Sequence, residues 1–198
     1  ADLFALQQRL GAIHLRDMTA DIQQIRMVKS PAEQAKLRHI CGIVSGVFAH
    51  LPEWLQAGMP FDDCFRRFKI DALERGVDDV SYLVGGVGAG GYDDIIGPPI
   101  SKALATGDVL MFDTGCVWDG YFSDFDRNFG IGSASIEAQD AHKKLFDATE
   151  AAMSILRPGI TAADLFAVMD GVLRPDKSFS GDDVGRYGHG LGIQLTET

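Results

Sequence analysis

Two aspartates, Asp113 and Asp124, have the residue type and the spacing of a pair of metal ligands. Between them stands Asp119-Gly120, flanked by alternating apolar residues, and an Asp-Gly pair in that setting predicts a type I′ hairpin turn. Side chains alternate between the two faces of a strand, so a two-residue turn here puts Asp113 and Asp124 on the same face. Such diagonal neighbours lie roughly 7–8 Å apart at their Cα atoms, and their carboxylates can converge on cations about 3.5–4 Å apart.

Aspartates beside a turn often only face solvent, which is the alternative to a role as metal ligands. The sequence of the preceding segment distinguishes the two interpretations. Residues 109–112 are all apolar, which predicts a strand buried on both faces. That strand brings Asp113 directly out of the core, where a carboxylate without a partner is costly. The same register pairs Asp113 with Asp126, which is either a third oxygen donor or an ion-pair partner of Arg127.

A histidine near the end of the chain supplies a second type of ligand. His189 lies in the segment Gly188-His189-Gly190-Leu191-Gly192, and imidazole is the commonest neutral metal ligand. Glycines on both sides let the backbone approach a ligand or another strand closely. A histidine in a glycine-rich turn is often structural, but its combination with the aspartate pair favours a role as a ligand.

These residues together resemble the metal-ligand pattern of the superfamily that contains methionine aminopeptidase, prolidase, aminopeptidase P and creatinase. The resemblance rests on two aspartates with ten residues between them and a Gly-His-Gly-Leu-Gly segment about 65 residues later. From about residue 22 onward the chain also contains segments similar to the prolidase-like branch, which are Arg26-Met27-Val28-Lys29-Ser30-Pro31-Ala32-Glu33, Gly107-Asp108-Val109 and Arg157-Pro158-Gly159-Ile160-Thr161. The resemblance implies the pita-bread fold, an α+β fold with helices on the outer side of a curved, mainly antiparallel sheet.

By this resemblance Asp113, Asp124 and His189 match three of the family's five metal ligands, with Asp124 as the bridging one. The intact protein would then bind two divalent metal ions, of manganese, cobalt, zinc or iron, and use an activated water against a peptide or amide bond. The family's other two ligands are glutamates further along the chain than the histidine. We therefore expect residues 1–198 to bind metal weakly or not at all, and to be inactive by themselves.

Two positions depart from the family's peptidases. Counting along the chain places Ile95 and Thr196 where those peptidases have histidines that handle the substrate. Ile95 cannot move a proton, and Thr196 can donate a hydrogen bond but does not titrate near neutral pH. We expect Ile95, Thr196 and Tyr92 to line the substrate side of the site. Arg186 and Tyr187 are further candidates to replace the missing histidines.

Three functions stay open at this point. The first is a metal-dependent hydrolase resembling Xaa-Pro dipeptidases and aminopeptidases. The second is a small-molecule amidinohydrolase or lyase at the same metal site, which the loss of both histidines favours. The third is a non-catalytic binding protein of the same fold. The presence of all three ligands in this span argues against the third, because buried carboxylates without a cation are unfavourable.

Composition limits the partners and the location of the protein. The 198 residues are 46% hydrophobic and 23% charged, as in an ordinary soluble globular domain with one sizeable core. A net charge of −10 opposes binding to nucleic acids or anionic membranes. No apolar run approaches the ~18 residues that span a bilayer, and the start does not resemble a signal peptide. We expect a cytoplasmic protein with a peptide or small-molecule substrate and three free cysteines; the resemblance suggests a homodimer.

The predicted elements form two regions. Residues 1–29 are expected to be a helical lead-in from an N-terminal domain absent here, and residues 30–198 a partial pita-bread catalytic domain without its C-terminal strands. Ser30 and Pro31 predict the start of a long helix, and Thr161 predicts another. The remaining predictions are a helix over 62–74 with Leu73 inward, a strand over 81–84, a glycine-rich loop over 85–91, a helix over 135–156 with a buried stripe of Ala141, Leu145, Ala148, Ala152 and Ile155, a loop over 174–186 and a strand over 190–195.

Overall fold

The computed structural model describes residues 3–10, 16–175 and 186–197. Its elements, in chain order, are α1 (Leu3–Leu10), α2 (Thr19–Met27), α3 (Pro31–Trp54), α4 (Phe61–Glu74), β1 (Asp79–Ala89), β2 (Asp108–Trp118), β3 (Tyr121–Phe122), β4 (Phe125–Gly130), α5 (Ile136–Ile155) and α6 (Ala162–Leu173). The predicted lead-in contains α1 and α2, and most of the loop predicted over 174–186 lies outside the described residues. Within the described ranges, no helix has the length and apolarity that a membrane span needs.

The long helix α3 begins as its sequence predicts. The Ser30 side chain accepts a hydrogen bond from the Glu33 amide, and the Glu33 carboxylate accepts one from the Ser30 amide. This capping box satisfies two amides that would otherwise lack partners, and Pro31 occupies the first helical position, where no amide is needed. The helical spacing of apolar residues predicts one buried face, and its members Ile40, Val44, Val47, Phe48 and Leu51 are buried, while Leu37 is half-buried.

Strand β2 is the centre of a four-stranded antiparallel sheet. It pairs with β1 on one side, and with β3 and then β4 on the other. The turn between β2 and β3 is the predicted one, because Asp119 and Gly120 have φ angles of 47° and 76° and Trp118 pairs with Tyr121. Lys36 contacts Asp119 at 2.6 Å, so the hairpin turn is attached to α3. The predicted hairpin register is confirmed.

One face of the sheet packs on α3 and α4 and forms the core. Leu110, Phe112 and Cys116 of β2 are fully buried there. The ring of Phe112 lies 5.0 Å from Phe65 and 5.5 Å from Phe68, measured between ring centroids. Burying side chains of this size stabilises the fold by about 1.5–3 kcal/mol each. The opposite face of the same strands carries Asp113, so the core holds the strand that presents it.

The glycine-rich segment predicted as a loop is instead the second half of β1, where that prediction is wrong. Residues 85–89 pair with residues 108–112 of β2 in an unbroken register. Their small size serves packing, because a Cβ on Gly86 would lie 2.4 Å from the Asp94 carbonyl oxygen and one on Gly88 would lie 2.2 Å from that of Gly91. The glycines therefore let residues 91–97 fold back directly onto the sheet.

The strand predicted over 190–195 is also absent from the described structure. Gly190 and Glu197 form a two-hydrogen-bond bridge, with N···O distances of 2.9 and 2.8 Å, so the segment closes on itself. One hydrogen bond, from the Phe122 amide to the Gly192 carbonyl at 2.8 Å, connects it to β3. Glycines at 190 and 192 permit this tight path, which an alternating apolar pattern alone does not reveal.

Helices α5 and α6 begin where predicted, with Ser135 and Thr161 as their caps, but the buried stripe on α5 is only partly correct. Ala148 is buried and Ala152 and Ile155 are half-buried, whereas Ala141 and Leu145 are exposed. The reason is that α5 packs mainly on α6, and a groove of about 610 Å³ separates its first half from β4. Leu73, predicted to point inward from α4, is likewise 51% exposed. It follows the buried Ala72, and successive residues of a helix point in directions about 100° apart.

The packing of residues 91–97 on the sheet can be tested with Gly86→Ala in the full-length protein. The added methyl group meets backbone at 2.4 Å, so we expect a loss of about 1–3 kcal/mol in the free energy of unfolding, measured with urea. The matched control is Gly42→Ala in α3, which has nothing within 4 Å and should gain about 0.5–1 kcal/mol. Equal stability of the two variants would contradict close packing at Gly86.

Candidate active site

Three aspartates form a carboxylate cluster on the sheet face opposite the core. Asp113 of β2 lies directly opposite Asp126 of β4, and Asp124 lies two residues before Asp126 on the same face. Ser123 holds the chain between β3 and β4, because its amide donates to the Cys116 carbonyl at 2.8 Å and its buried hydroxyl accepts from the Cys116 amide. The predicted geometry of the aspartate pair is therefore present, and Asp126 joins it.

His189 lies against the carboxylate cluster. Its Nε2 is 2.9 Å from Oδ2 of Asp124, and its Nδ1 is 2.8 Å from the Gly190 carbonyl oxygen. A carbonyl oxygen only accepts, so Nδ1 donates a hydrogen bond to Gly190, and the contact of Nε2 with Oδ2 of Asp124 is a hydrogen bond that contains a second proton. Residues 65 positions apart are thus brought into direct contact. The structure joins Asp124 and His189 as the sequence predicts, with Asp113 on the same face.

The cluster concentrates negative charge where water is partly excluded. Partial burial raises the pKa of Asp113, and the neighbouring Asp124 charge raises it further, against a lowering by the Tyr82 hydroxyl, which donates to Asp113 at 3.3 Å. Burial also raises the pKa of Asp124, although His189 and Arg186 oppose the change. These pKa shifts have one physical origin, which is that partial burial and neighbouring negative charge both disfavour the ionised form of a carboxyl group.

Asp126 shows the largest such shift although its side chain reaches solvent at the rim. Partial loss of hydration and the charges of Asp113 and Asp124 raise its pKa from 3.8 to about 6, while Arg127 opposes them. The Arg127 guanidinium donates to the Asp126 backbone carbonyl at 2.6 Å and lies over the Phe125 ring. Both alternatives for Asp126 therefore have some basis, since it belongs to the cluster and Arg127 is close enough to influence it.

The donor set fits a divalent cation in its chemistry. Oxygen and imidazole nitrogen ligands bind such cations at about 2.0–2.2 Å, so two adjacent ligands at a right angle lie roughly 3 Å apart. The Nε2–Oδ2 distance of 2.9 Å between His189 and Asp124 matches that separation. As arranged, however, the described residues contain no group of three or more His, Cys, Asp or Glu side chains close enough to hold a metal ion.

The three residues predicted to line the substrate side lie in different places. Tyr92 is next to the cluster: its hydroxyl donates to Asn128 at 2.7 Å, and partial burial, followed by the Asp126 charge, raises its pKa. Ile95 is 41% exposed on the following segment. Thr196 lines a cavity of about 70 Å³ beside Arg26, and no hydrogen bond in the described part of the chain joins it to the aspartates.

Arg186 and Tyr187, the two further candidates to replace the missing histidines, have different surroundings. Tyr187 donates to Asp170 of α6 at 2.8 Å, and its ring stacks on Phe166 with centroids 4.8 Å apart. Arg186 is close enough for its charge to lower the pKa of Asp124. Arg186 therefore influences the cluster through its charge.

Sequence reasoning missed two features of the site. Tyr82, which donates to Asp113, could have been found from the alternation along β1, since it faces Gly115 two residues from the Asp113 partner. The second feature is the contact of Glu197 with Arg26 and Lys29, at 2.5 and 2.6 Å. The sequence shows a basic pair before α3, but nothing in its spacing connects that pair with a glutamate about 170 residues later.

Comparison with known proteins identifies the family. The sequence model that describes metallopeptidase family M24 matches residues 35–198, which is most of the chain. The chain belongs to metallopeptidase family M24. This is a metal-dependent family, so the resemblance found in the sequence is confirmed.

Individual relatives agree with this assignment. A probable dipeptidase PepE of Mycobacterium tuberculosis is 29% identical over 177 residues, which are 89% of this chain and 47% of that protein. The crystal structure of dipeptidase PepE from Mycobacterium ulcerans has a TM-score of 0.82 and 28% identity, covering 99% of this chain and 52% of that one. A dipeptidase structure from Pyrococcus horikoshii has a TM-score of 0.88 at 24% identity, covering 100% and 55%.

The chain spans about half the length of the curated relatives that it matches. Over that span the α+β pita-bread fold is confirmed, with its antiparallel sheet and the helices packed on it. The predicted ligands Asp113, Asp124 and His189 lie within the part of the chain that the family model matches.

The charge in the cluster predicts a pH dependence of stability in chelator-treated full-length protein. Because the pKa of Asp126 is raised from 3.8 to about 6 on folding, the folded state holds this proton more tightly, and stability is lost as pH rises from about 4 to 6. Asp126→Asn should therefore melt at a higher temperature than wild type at pH 7. The gain should vanish below pH 4 and be modest throughout, because solvent screens this side chain.

The matched control is Asp93→Asn, which removes an exposed carboxylate from the neighbouring segment. Its melting temperature should follow that of wild type across the pH range. A pH profile of Asp126→Asn parallel to that of wild type would show that the cluster does not perturb this carboxyl group.

Proposed function

We propose that the protein containing this chain is a metal-dependent peptidase, and that Asp113, Asp124 and His189 are among its metal ligands. The observation that carries the proposal is the contact of His189 with Asp124 at 2.9 Å, beside a second carboxylate on the same strand face. The family match supports it, since this is a family of metallopeptidases. Two divalent cations, of manganese, cobalt, zinc or iron, are the finer part of the proposal.

The chain's own residues would prepare the ligands for this role. The Gly190 carbonyl holds the proton on Nδ1 of His189, which leaves Nε2 to ligate. The Tyr82 hydroxyl orients the Asp113 carboxylate. Asp124, between His189 and Asp113, is the ligand that we propose to bridge two cations. When bound, such cations supply Lewis-acid activation of water and of a scissile carbonyl group.

Tyr92 is the residue that we propose on the substrate side. Its pKa is raised, so its hydroxyl keeps its proton at neutral pH and can donate a hydrogen bond. It already donates to Asn128, one alternate position along β4 from Asp126. Reorientation of this hydroxyl toward a substrate carbonyl oxygen would supply a neutral donor, but no group that titrates near neutral pH.

The substrate that we propose is a dipeptide or short peptide, the class named in the descriptions of the PepE relatives. Proline after the scissile bond is the finer expectation, and it comes from the resemblance to the prolidase-like branch. A small-molecule amidinohydrolase or lyase is the second candidate. It is favoured by the presence of Ile95 and Thr196, neither of which can act as a general acid or base.

The bridging role of Asp124 is tested by Asp124→Asn in the full-length protein. The variant keeps the size of the side chain and loses its charge, so we expect peptide hydrolysis to fall more than tenfold. Circular dichroism should be unchanged, because the hairpin is held by the aromatic core and by the contact of Lys36 with Asp119. Asp93→Asn is the control with an exposed carboxylate. An Asp124→Asn variant with more than roughly a tenth of the wild-type rate would rule out a bridging ligand.

The two candidate functions are separated by a substrate panel with metal-loaded full-length protein. Because general acid–base help is typically worth about 10² to 10⁴ in rate, we expect kcat/KM on Ala-Pro and Gly-Pro below about 10⁴ M⁻¹s⁻¹. A higher value would show that Tyr92 or another group replaces the missing histidines. Turnover of guanidino or amidino compounds without peptide hydrolysis would support the second candidate and contradict the first.

A further inference from the structure

A buried ion-pair triad lies at the far end of the segment that carries His189. Glu197 contacts Arg26 at 2.5 Å and Lys29 at 2.6 Å, and its side chain is only 5% exposed. Lys29 also donates to the Arg26 carbonyl at 2.7 Å, which ties the two cations to one backbone geometry. Arg26 belongs to α2, so the triad joins the end of that helix to a segment about 170 residues later.

The segment from His189 to Glu197, called here the His189 loop, is built around this carboxylate. The amide of Gln194 lies 3.3 Å from Oε1 of Glu197. A Cβ on Gly192 would lie 2.6 Å from both carboxylate oxygens, so only glycine leaves room for the carboxylate there. The Gly190–Glu197 bridge closes the loop directly behind His189. The Glu197 carboxylate therefore occupies the centre of the loop, and the two cations hold it there.

The other end of the loop is the one that meets the carboxylate cluster. His189 precedes the bridge by one residue, and the carbonyl that fixes its Nδ1 proton belongs to Gly190, a member of that bridge. Leu195 covers Gly115 on the site face of β2, where a Cβ would lie 2.5 Å from its Cδ1. A shift of the Glu197 carboxylate would move the bridge, and with it both the position of His189 and the hydrogen bond at its Nδ1.

We propose that Arg26, Lys29 and Glu197 are positioning residues for the active site: the two cations hold the Glu197 carboxylate, and the loop closed on it holds His189 against Asp124. The proposal rests on the proposed function in one respect, the role of His189 as a metal ligand. The positioning itself is a property of the metal-free chain, so it can be tested separately.

The charge balance of the triad is consistent with a fixed, ionised carboxylate. Burial acts to raise the pKa of Glu197, but the hydrogen bonds from Lys29 and Arg26 outweigh it, and the pKa is lowered. A partly buried carboxylate with two cations is stable as a unit, whereas removal of one partner leaves an uncompensated charge. Neutralising the carboxylate or one cation should therefore displace the loop rather than leave it unchanged.

The test uses Glu197→Gln and Lys29→Met in the full-length protein. Glu197→Gln keeps the length of the side chain, Lys29→Met shortens it by one atom, and each removes one charge. Lys143→Met is the matched control, because Lys143 forms an exposed ion pair of 2.5 Å with Asp147 on α5 and has no contact with Glu197 among the described residues. Lys29→Arg is the conservative variant that keeps the positive charge.

The first measurement is nuclear magnetic resonance of chelator-treated protein. We expect the His189 imidazole signals and the Gly190 and Gly192 amide signals to shift in Glu197→Gln and Lys29→Met. They should stay at wild-type positions in Lys143→Met, and return close to them in Lys29→Arg. A role confined to stability would lower the melting temperature and leave these signals of the folded protein in place.

The second measurement is calorimetric titration with Mn²⁺. Groups that orient metal ligands are typically worth 10–100-fold in metal affinity, so we expect Kd to rise by that factor in the two triad variants and not in Lys143→Met. Unchanged His189 signals together with a Kd within twofold of wild type would overturn the proposal. If Glu197→Gln fails to fold, Lys29→Met decides alone. Wild-type protein that does not bind Mn²⁺ would contradict the proposed function, while the imidazole signals would still decide the positioning.

Discussion

The repulsion among three carboxylates on one sheet face is the constraint on which the rest of this structure depends. Asp113 and Asp126 stand directly opposite each other on adjacent strands, and Asp124 lies diagonally from Asp113, two residues before Asp126. Like charges in this arrangement destabilise a sheet, and the pKa values of Asp113 and Asp126 are raised first by partial burial and then by the neighbouring carboxylate charges. Such an arrangement persists only where stronger interactions hold the strands, and it favours the binding of a cation.

Those stronger interactions lie on the reverse face of the same strands. Phe112 precedes Asp113 directly and points into a cluster of aromatic rings from α4, with Phe61, Phe65 and Phe68 all within 6.2 Å between centroids. Alternation along the strand therefore couples the two faces, since a residue that anchors the core places its neighbour in the site. The hairpin turn adds a second attachment, through Lys36 and Asp119, to the helix α3.

The site is completed by contacts between parts of the chain that are far apart in sequence. His189 reaches Asp124 from a loop organised around Glu197, and the cations that hold Glu197 come from the end of α2 and the residues after it. The segment predicted as a lead-in thus contributes directly to the geometry near the cluster. Asp124, His189 and Glu197 lie within the span that the model of metallopeptidase family M24 matches, and Arg26 and Lys29 precede that span.

The sequence by itself determined the features that depend on local rules. The turn at Asp119-Gly120 needs two positive φ angles, and Ser30 and Thr161 cap their helices through side chains three residues away, so short patterns were sufficient. Once the turn was known, strand alternation placed Asp113, Asp124 and Asp126 on one face. Only the tertiary structure decided the rest: that residues 85–89 are a strand because residues 91–97 pack on it, that residues 190–195 close on Glu197, and that Arg26 and Lys29 hold that carboxylate. These outcomes depend on which distant groups fill the space beside a glycine or balance a buried charge. The local pattern of apolar and polar residues contains no information about those distant contacts.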